Sequence, residues 1–303
     1  MKAYKLMILL LLLGIQTVAS ASSFDRPARA DSLNDPVSLG LIPLKSKHFA
    51  IEVNINGKGP YKFMLDTGSS VSVISQKLAS KLKLVKTKQV KYTRNDKKYN
   101  ANLYNVPELS LGDVHLYDYD MLAYPEPSFI SYMKKEFHED IDGILGVGAF
   151  YHYLLTLDLP EQNIILHSGN LTADADTTTY KNQDKIPMVA VVFKDEKNTR
   201  KMSFVLDTGS NEEFTMPPGI HTLPFKKISS ESIQTGSHYG EQNAIKVKIK
   251  ADAFWEGKEF TEPSVVYNKG LYDSSVNFGL MGLEVMKNLK ITLDQKKLLI
   301  KVE

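Results

Sequence analysis

Cysteine is absent from this chain. That excludes a disulfide framework, a thiolate metal site, an iron–sulfur cluster, a Cys nucleophile, a thiol redox motif and a lipid anchor on an N-terminal Cys. A dominant charge sign is lacking too. Lys and Arg number 37 against 35 Asp and Glu, a formal charge of +2. A nucleic-acid partner would call for a clustered basic excess, so none is expected. The seven His residues show no His-Glu-x-x-His or paired-ligand spacing. No metal and no cofactor are therefore expected. Long apolar runs are missing beyond the N-terminus, and a membrane-spanning helix needs about 20 apolar residues.

What remains is ample for a core. The chain has 303 residues, of which 43% are hydrophobic, enough for about two domains. Residues 1–21 read as a secretory signal. Lys2 and Lys5 supply the positive start, Leu6 to Ile15 the apolar stretch, and Ala19-Ser20-Ala21 a small-x-small cleavage pattern. Ala28-Arg29-Ala30 is a second such pattern, and an uncleaved N-terminal anchor is the alternative. The expected location is the periplasm or the outside of the cell, with no stable membrane anchor after cleavage. Residues 22–36 are polar and read as a mobile lead-in.

The chain repeats itself. Phe63-Met64-Leu65-Asp66-Thr67-Gly68-Ser69 recurs as Phe204-Val205-Leu206-Asp207-Thr208-Gly209-Ser210, 141 residues on. Gly143-Ile144-Leu145-Gly146 recurs as Gly279-Leu280-Met281-Gly282, and Thr156-Leu157-Asp158 as Thr292-Leu293-Asp294, each 136 residues on. Three blocks in one order at nearly constant offset imply a duplicated domain. Each first block follows a strand pattern, a turn and a return strand, and Asn56-Gly57 is a strong hairpin signal. The domains read as 37–168 and 186–303, joined by a polar linker over 169–185. Short helices are expected at 75–84, 149–155 and 283–289. The fold class is all-β, in two lobes.

Each Asp-Thr-Gly sets a carboxylate at a strand tip, and Gly lets the backbone turn tightly there. If the lobes face each other about a pseudo-twofold axis, Asp66 and Asp207 meet. Two carboxylates a few Å apart cannot both ionise easily and share a proton. Such a pair can activate a water against a peptide carbonyl, one acid as base and the other as donor.

These residues resemble the pepsin/retropepsin superfamily of aspartic proteases, specifically a single-chain fusion of two retropepsin-like lobes of the kind found in bacteria. The resemblance implies an aspartic endopeptidase acting on a polypeptide substrate, with Asp66 and Asp207 as the catalytic dyad. It implies that Thr67 and Thr208 cross-link the lobes beneath the dyad. Gly68 and Gly209 would donate backbone N–H groups to the carboxylates, and Ser69 and Ser210 would hydrogen-bond their outer oxygens. Bonds to the charged form lower a carboxylate's pKa, so an acidic rate optimum is expected. Flap hairpins are expected at Val90 to Leu103, which lacks Gly, and at Ser229 to Val247; Tyr92, Tyr99 and Tyr239 are flap-tyrosine candidates kept outside the site. Asp158 and Asp294 read as turn residues. A monomer is expected, because lobe pairing within one chain buries the natural interface. Two other readings stay open: a non-catalytic peptide-binding module that keeps the fold, and a structural or assembly protein.

Overall fold

The computed structural model describes residues 6–7, 26–94, 97–124, 129–183, 185–217, 223–237, 240–268 and 277–303. The described chain is all-β, with three sheets of eleven, nine and six strands and only short helices.

The nine-stranded sheet grows from the hairpin Phe49–Ile55 and Lys58–Asp66. Its Asn56-Gly57 turn has positive φ at both residues, 51° and 69°. That two-residue turn matches the right-handed twist of the flanking strands, which is why Asn-Gly marks a hairpin. Strand Lys97–Leu111 pairs with Phe49–Ile55, with Val85–Arg94 and with Val114–Ala123. Through the first and third of these pairings the sheet closes on itself as a β-barrel. Strand Gly143–Gly146 threads through it, parallel to Phe63–Asp66 and antiparallel to Val73–Ile74.

The eleven-stranded sheet repeats this local pattern. Ile186–Lys194 and Thr199–Leu206 form the hairpin, closed by Asp195, whose Oδ1 accepts from the Lys197 and Asn198 N–H groups. Gly279–Met281 runs parallel to Phe204–Leu206 and antiparallel to Phe214–Met216. Phe214 packs edge-on against Phe193 and Phe204, whose rings are tilted against each other, with centroids 5.1–5.8 Å apart. Trp255 is buried in the same core, as expected for a packing residue. At the outer edge of this sheet Leu6–Met7 pairs with Thr235–Gly236.

The six-stranded sheet joins the two halves. At its centre Leu154–Asp158 pairs antiparallel with Lys290–Asp294, Thr156 opposite Thr292, and their hydroxyls lie 2.8 Å apart. Asn163–His167 and Leu299–Val302 flank this pair.

Several local expectations change. The helix expected at 75–84 is shorter, Gln76–Lys81, started where Ser75 Oγ accepts from the Leu78 N–H. At 149–155 a single 3-10 turn, Val147–Phe150, replaces the helix, and at 283–289 only Leu283–Met286 is helical. Helix Phe129–Phe137 was not foreseen; it buries Ile130 and Met133 over the barrel. The polar linker contains Thr177–Thr179 and Lys181–Gln183, which add to sheet edges where one face stays wet. Residues 26–36 are not a loose lead-in. Arg29–Ala30 pairs with Leu116–Tyr117, Arg26 and Arg29 stack on Tyr151 and Tyr117, and the Tyr153 hydroxyl donates to the Asp31 carbonyl. Asp294 does hold a turn, accepting from the Lys296 and Lys297 N–H groups, whereas Asp158 pairs with Lys290 at 3.1 Å. The expected hairpin tips, with Asn95-Asp96 and Tyr239, and the side chains of Tyr92 and Tyr99 lie outside the described residues.

The threading strands explain the Gly at each end of the second block. A Cβ on Gly143 or Gly279 would strike the ring of Phe63 or Phe204, and one on Gly146 or Gly282 would strike the backbone of Val71 or Glu212. Backbone cannot swing aside as a flexible side chain can. Gly146→Ala should therefore destabilise the fold by about 1–3 kcal/mol, as overpacked sites do. Gly40→Ala, whose Cβ would meet only Asn163 Oδ1 at 3.9 Å, should stay within about 0.5 kcal/mol. Urea denaturation of the two variants checks the contrast.

Candidate active site

Strands Lys58–Asp66 and Thr199–Leu206 end at the same place, each turning at Asp-Thr-Gly-Ser. The structure brings all eight predicted site residues together there. Asp66, Thr67, Ser69, Asp207, Thr208 and Ser210 are all buried.

The threonines bind the two turns to each other. The Thr67 N–H donates to Thr208 Oγ1 at 3.0 Å, and the Thr208 N–H donates to Thr67 Oγ1 at 3.1 Å. Each hydroxyl then donates across to the opposite strand, Thr67 to the Leu206 carbonyl at 2.7 Å and Thr208 to the Leu65 carbonyl at 2.9 Å. Only a residue with a short hydroxyl can accept and donate in this way, and Thr adds a methyl for packing.

The glycines act twice. The Gly68 N–H donates to Asp66 Oδ1 at 2.9 Å, and the Gly209 N–H donates to Asp207 Oδ1 at 2.8 Å. Each also presses against the opposite carboxyl. A Cβ on Gly68 would lie 2.5 Å from Asp207 Oδ1, and one on Gly209 would lie 2.8 Å from Asp66 Oδ1. No larger residue fits between the turns.

The serines differ from expectation. The Ser69 hydroxyl donates to the Val71 carbonyl at 2.7 Å, and Ser210 Oγ accepts from the Glu212 N–H at 3.4 Å. Neither reaches the outer carboxyl oxygen. A hydroxyl satisfies the nearest turn first, because its own loop lies within reach and the next turn does not. Among the described residues, Oδ2 of Asp66 and Oδ2 of Asp207 accept no hydrogen bond although both are buried. One oxygen of each acid is thus free to meet an incoming group.

Burial raises both carboxyls above the ordinary carboxylate range. For Asp207 the neighbouring Asp66 charge and the bond it donates to Asp66 push further the same way, while that same bond and the Gly68 N–H pull Asp66 down. Both acids are therefore pushed toward the protonated form, and the pair shares a proton. This corrects the reason for expecting an acidic optimum. The bonds from Gly68 and Gly209 exist, but burial outweighs them.

Two further buried polar residues attend the turns, and no motif announced either. His48 is fully buried, and its Nε2 lies 3.0 Å from the Gly209 carbonyl. A carbonyl only accepts, so that nitrogen carries the proton. Burial pulls His48 down to about 4, against the bonds to Gly209 and the Ser46 backbone. Glu212, two residues after Ser210, is buried against the Lys246 ammonium at 2.9 Å. Burial raises it despite Lys246. A single His in a turn, or one Glu after the motif, carries no spacing that a sequence could reveal. Among the described residues, no group of three or more His, Asp or Glu could hold a metal ion.

The His48 shift has a measurable sign. Its folded value, about 4, lies below its ordinary 6.5. Between those values the unfolded chain binds the extra proton, so this residue makes stability fall as pH falls from 6.5 toward 4. Relative to His48→Gln, which cannot titrate, the native protein should lose roughly 3 kcal/mol across that window. Denaturation midpoints at a series of pH values measure the difference, and parallel curves would refute it.

No curated protein matches the chain. Residues 51–149 match the model of a family described as aspartyl protease, a span that runs from the first hairpin through the first Asp-Thr-Gly to the threading strand. Over this segment, less than half of the chain, the sequence is similar to aspartyl proteases.

Proposed function

We propose that the protein is an aspartic endopeptidase made of two homologous lobes, residues 37–168 and 186–303, with Asp66 and Asp207 as its catalytic dyad. The observation that carries this reading is the meeting of two identical Asp-Thr-Gly-Ser turns. Their threonines exchange bonds, and among the described residues one oxygen of each buried carboxyl has no partner.

The symmetry of the contacts supports a duplication about a pseudo-twofold axis. Thr67 bonds its own repeat partner, Thr208, in both directions. Thr156 likewise faces its repeat partner Thr292, Leu154 faces Asp294, and Asp158 faces Lys290. Exchanging the repeats maps Thr67–Thr208 and Thr156–Thr292 onto themselves and Leu154–Asp294 onto Lys290–Asp158, the mark of a twofold contact.

The chemistry follows from the shared proton, which leaves one acid ionised and the other protonated. With Asp66 as the ionised member, its carboxylate takes a proton from a water. The water oxygen bonds to the peptide carbonyl carbon while Asp207 donates its proton to the carbonyl oxygen. The carbonyl π pair becomes the new O–H bond, and a tetrahedral diol results with no covalent link to the enzyme. Asp66 then passes its proton to the amide nitrogen, the C–N bond breaks with its electrons on nitrogen, and a diol hydroxyl returns its proton to Asp207. The products are a carboxylic acid and an amine, and the dyad regains its starting state. The dyad titrates as a unit. Ser69 and Ser210 support it through their own turns, and Thr67, Gly68, Thr208 and Gly209 hold it directly. A polypeptide is the expected partner, and we infer export through the N-terminal leader.

Asp66→Asn and Asp207→Asn should each reduce peptide cleavage by at least about a thousandfold, the general acid–base contribution together with the lost charge. The assay is incubation of the mature protein with a peptide library, followed by mass spectrometry. Undiminished cleavage by either variant would end the proposal. Peptide retention without cleavage in the native protein would instead favour a binding module.

The pH dependence of kcat/KM reads the free enzyme's dyad. Cleavage needs one acid ionised and the other protonated. Burial lifts both titrations, so the rising limb and the falling limb both move up. The maximum should therefore lie above the ordinary carboxylate value of about 4, with activity persisting toward neutrality. A maximum at or below that value would show that the N–H bonds outweigh burial.

A further inference from the structure

The turn of residues 44–48 belongs to the first half of the chain but makes its key contacts with the second. It is tight, closed by the Lys47 N–H donating to the Leu44 carbonyl and the Leu44 N–H donating to the His48 carbonyl, each at 2.9 Å. Lys47 sits at φ 67° to complete it. From this turn His48 Nε2 donates to the Gly209 carbonyl at 3.0 Å. The Ser46 carbonyl accepts from Asn211 Nδ2 at 2.6 Å. Glu139, also buried, anchors the turn from behind by accepting from the Ser46 N–H at 3.1 Å. Two residues of the second Asp-Thr-Gly-Ser-Asn turn are thus held by one turn of the opposite half.

Gly209 is where such a hold matters. Its N–H bonds Asp207, and its Cα lies against the Asp66 carboxyl. Glycine has the widest conformational freedom of any residue, so an unheld Gly209 would let the peptides on either side of its Cα turn about that atom. Rotation would move the donor away from Asp207 and the gap away from Asp66. Contacts of this kind set geometry to a fraction of an ångström, and a small misplacement of a reacting group costs a large factor in rate.

The hold is one-sided. Ala50 pairs with Met64 in the first hairpin, and Met188 pairs with Val205 in the second. Two residues before each lie His48 and Ile186. Ile186 is buried and has no donor. The duplication therefore did not produce this contact twice, and the two turns of a nearly symmetric pair are held differently.

We propose that His48 is a positioning residue for the dyad: by a hydrogen bond donated across the lobes it fixes the Gly209 carbonyl, and through the Cα that this carbonyl shares with the Gly209 N–H it fixes the Asp207 carboxyl. This rests on the protease reading for its catalytic consequence, but the hold on the turn does not depend on catalysis.

The test compares His48→Gln with His48→Met in the full mature chain. The two side chains match in length and shape, and only Gln can donate. Loss of the donor should lower kcat about 10- to 100-fold with KM within about twofold, and Gln should recover most of the loss. Amide hydrogen exchange read by mass spectrometry supplies the second measurement. In the Met variant, exchange over residues 207–212 should rise about tenfold or more while residues 154–158 keep their protection, and Gln should restore it. Folding of the Gln variant alone would be the same result in a stronger form. Equal behaviour of the two variants in exchange, or a rise spread evenly along the chain, would overturn the proposal. A native protein that cleaves nothing would count against the protease reading, and the exchange comparison would still decide the role of His48.

Discussion

Two acids lie buried together at the end of two strands, and the rest of the molecule is arranged to keep them there. Burial alone works against the fold. Each carboxyl prefers water, and a second negative charge beside the first costs still more. Holding a proton between them relieves the charge but not the demand for order. The exchanged threonine bonds supply that order. Four hydrogen bonds run across the gap, each worth about 1 kcal/mol net, but removing one partner strands a buried group at about 1–3 kcal/mol. The two turns are therefore locked far more firmly against separation than the net energy of four bonds suggests. Raised carboxyl values carry their own linkage. The folded chain binds protons that the unfolded chain releases, so this pair contributes stability at acid pH that is lost as pH rises through the raised values. His48 acts in the opposite direction, since its folded value is depressed.

Everything around the acids keeps the turns narrow. The threading strands deliver a backbone carbonyl or N–H to each turn. The Val147 N–H donates to the Ser69 carbonyl and the Leu283 N–H to the Ser210 carbonyl, both at 2.8 Å. Such close passage leaves no room for a Cβ at Gly146 or Gly282. The glycines of the second sequence block thus answer to the same constraint as those of the first. Behind them the aromatic residues Phe63 and Phe204 fill the barrel side and stand against Gly143 and Gly279.

Much of this could be read before any coordinates. The Asn56-Gly57 turn, the paired Asp-Thr-Gly-Ser blocks and the apolar-apolar-Gly strands are local, and each is demanded by backbone geometry that few residues tolerate. What escaped the sequence was relational. Ser69 and Ser210 resemble carboxyl ligands in their spacing, yet a nearer carbonyl and a nearer N–H claim them. Residues 26–36 lack a strand pattern, but an edge of the first sheet accepts Arg29–Ala30, and two tyrosines stack on its arginines. The strength of the carboxyl shift depends on burial, which no motif encodes. His48 is the clearest case, since its partner lies 161 residues away and its repeat counterpart is an isoleucine.

That last asymmetry bears on how a symmetric site can do asymmetric chemistry. Two identical turns would share a proton evenly, and neither acid would be poised as donor or acceptor. A dyad that must take a proton from one species and give a proton to another gains from a fixed bias. Outside the motif the surroundings of the two turns differ. Glu212 and Lys246 stand behind the second turn, and His48 and Asn211 join it to the first half. At the corresponding places of the first turn lie Val71, which follows Ser70, and Ile186. The repeated sequence blocks account for the two acids and the bonds between their turns. The shell around the second turn differs from that around the first, and that difference is where such a bias would have to come from.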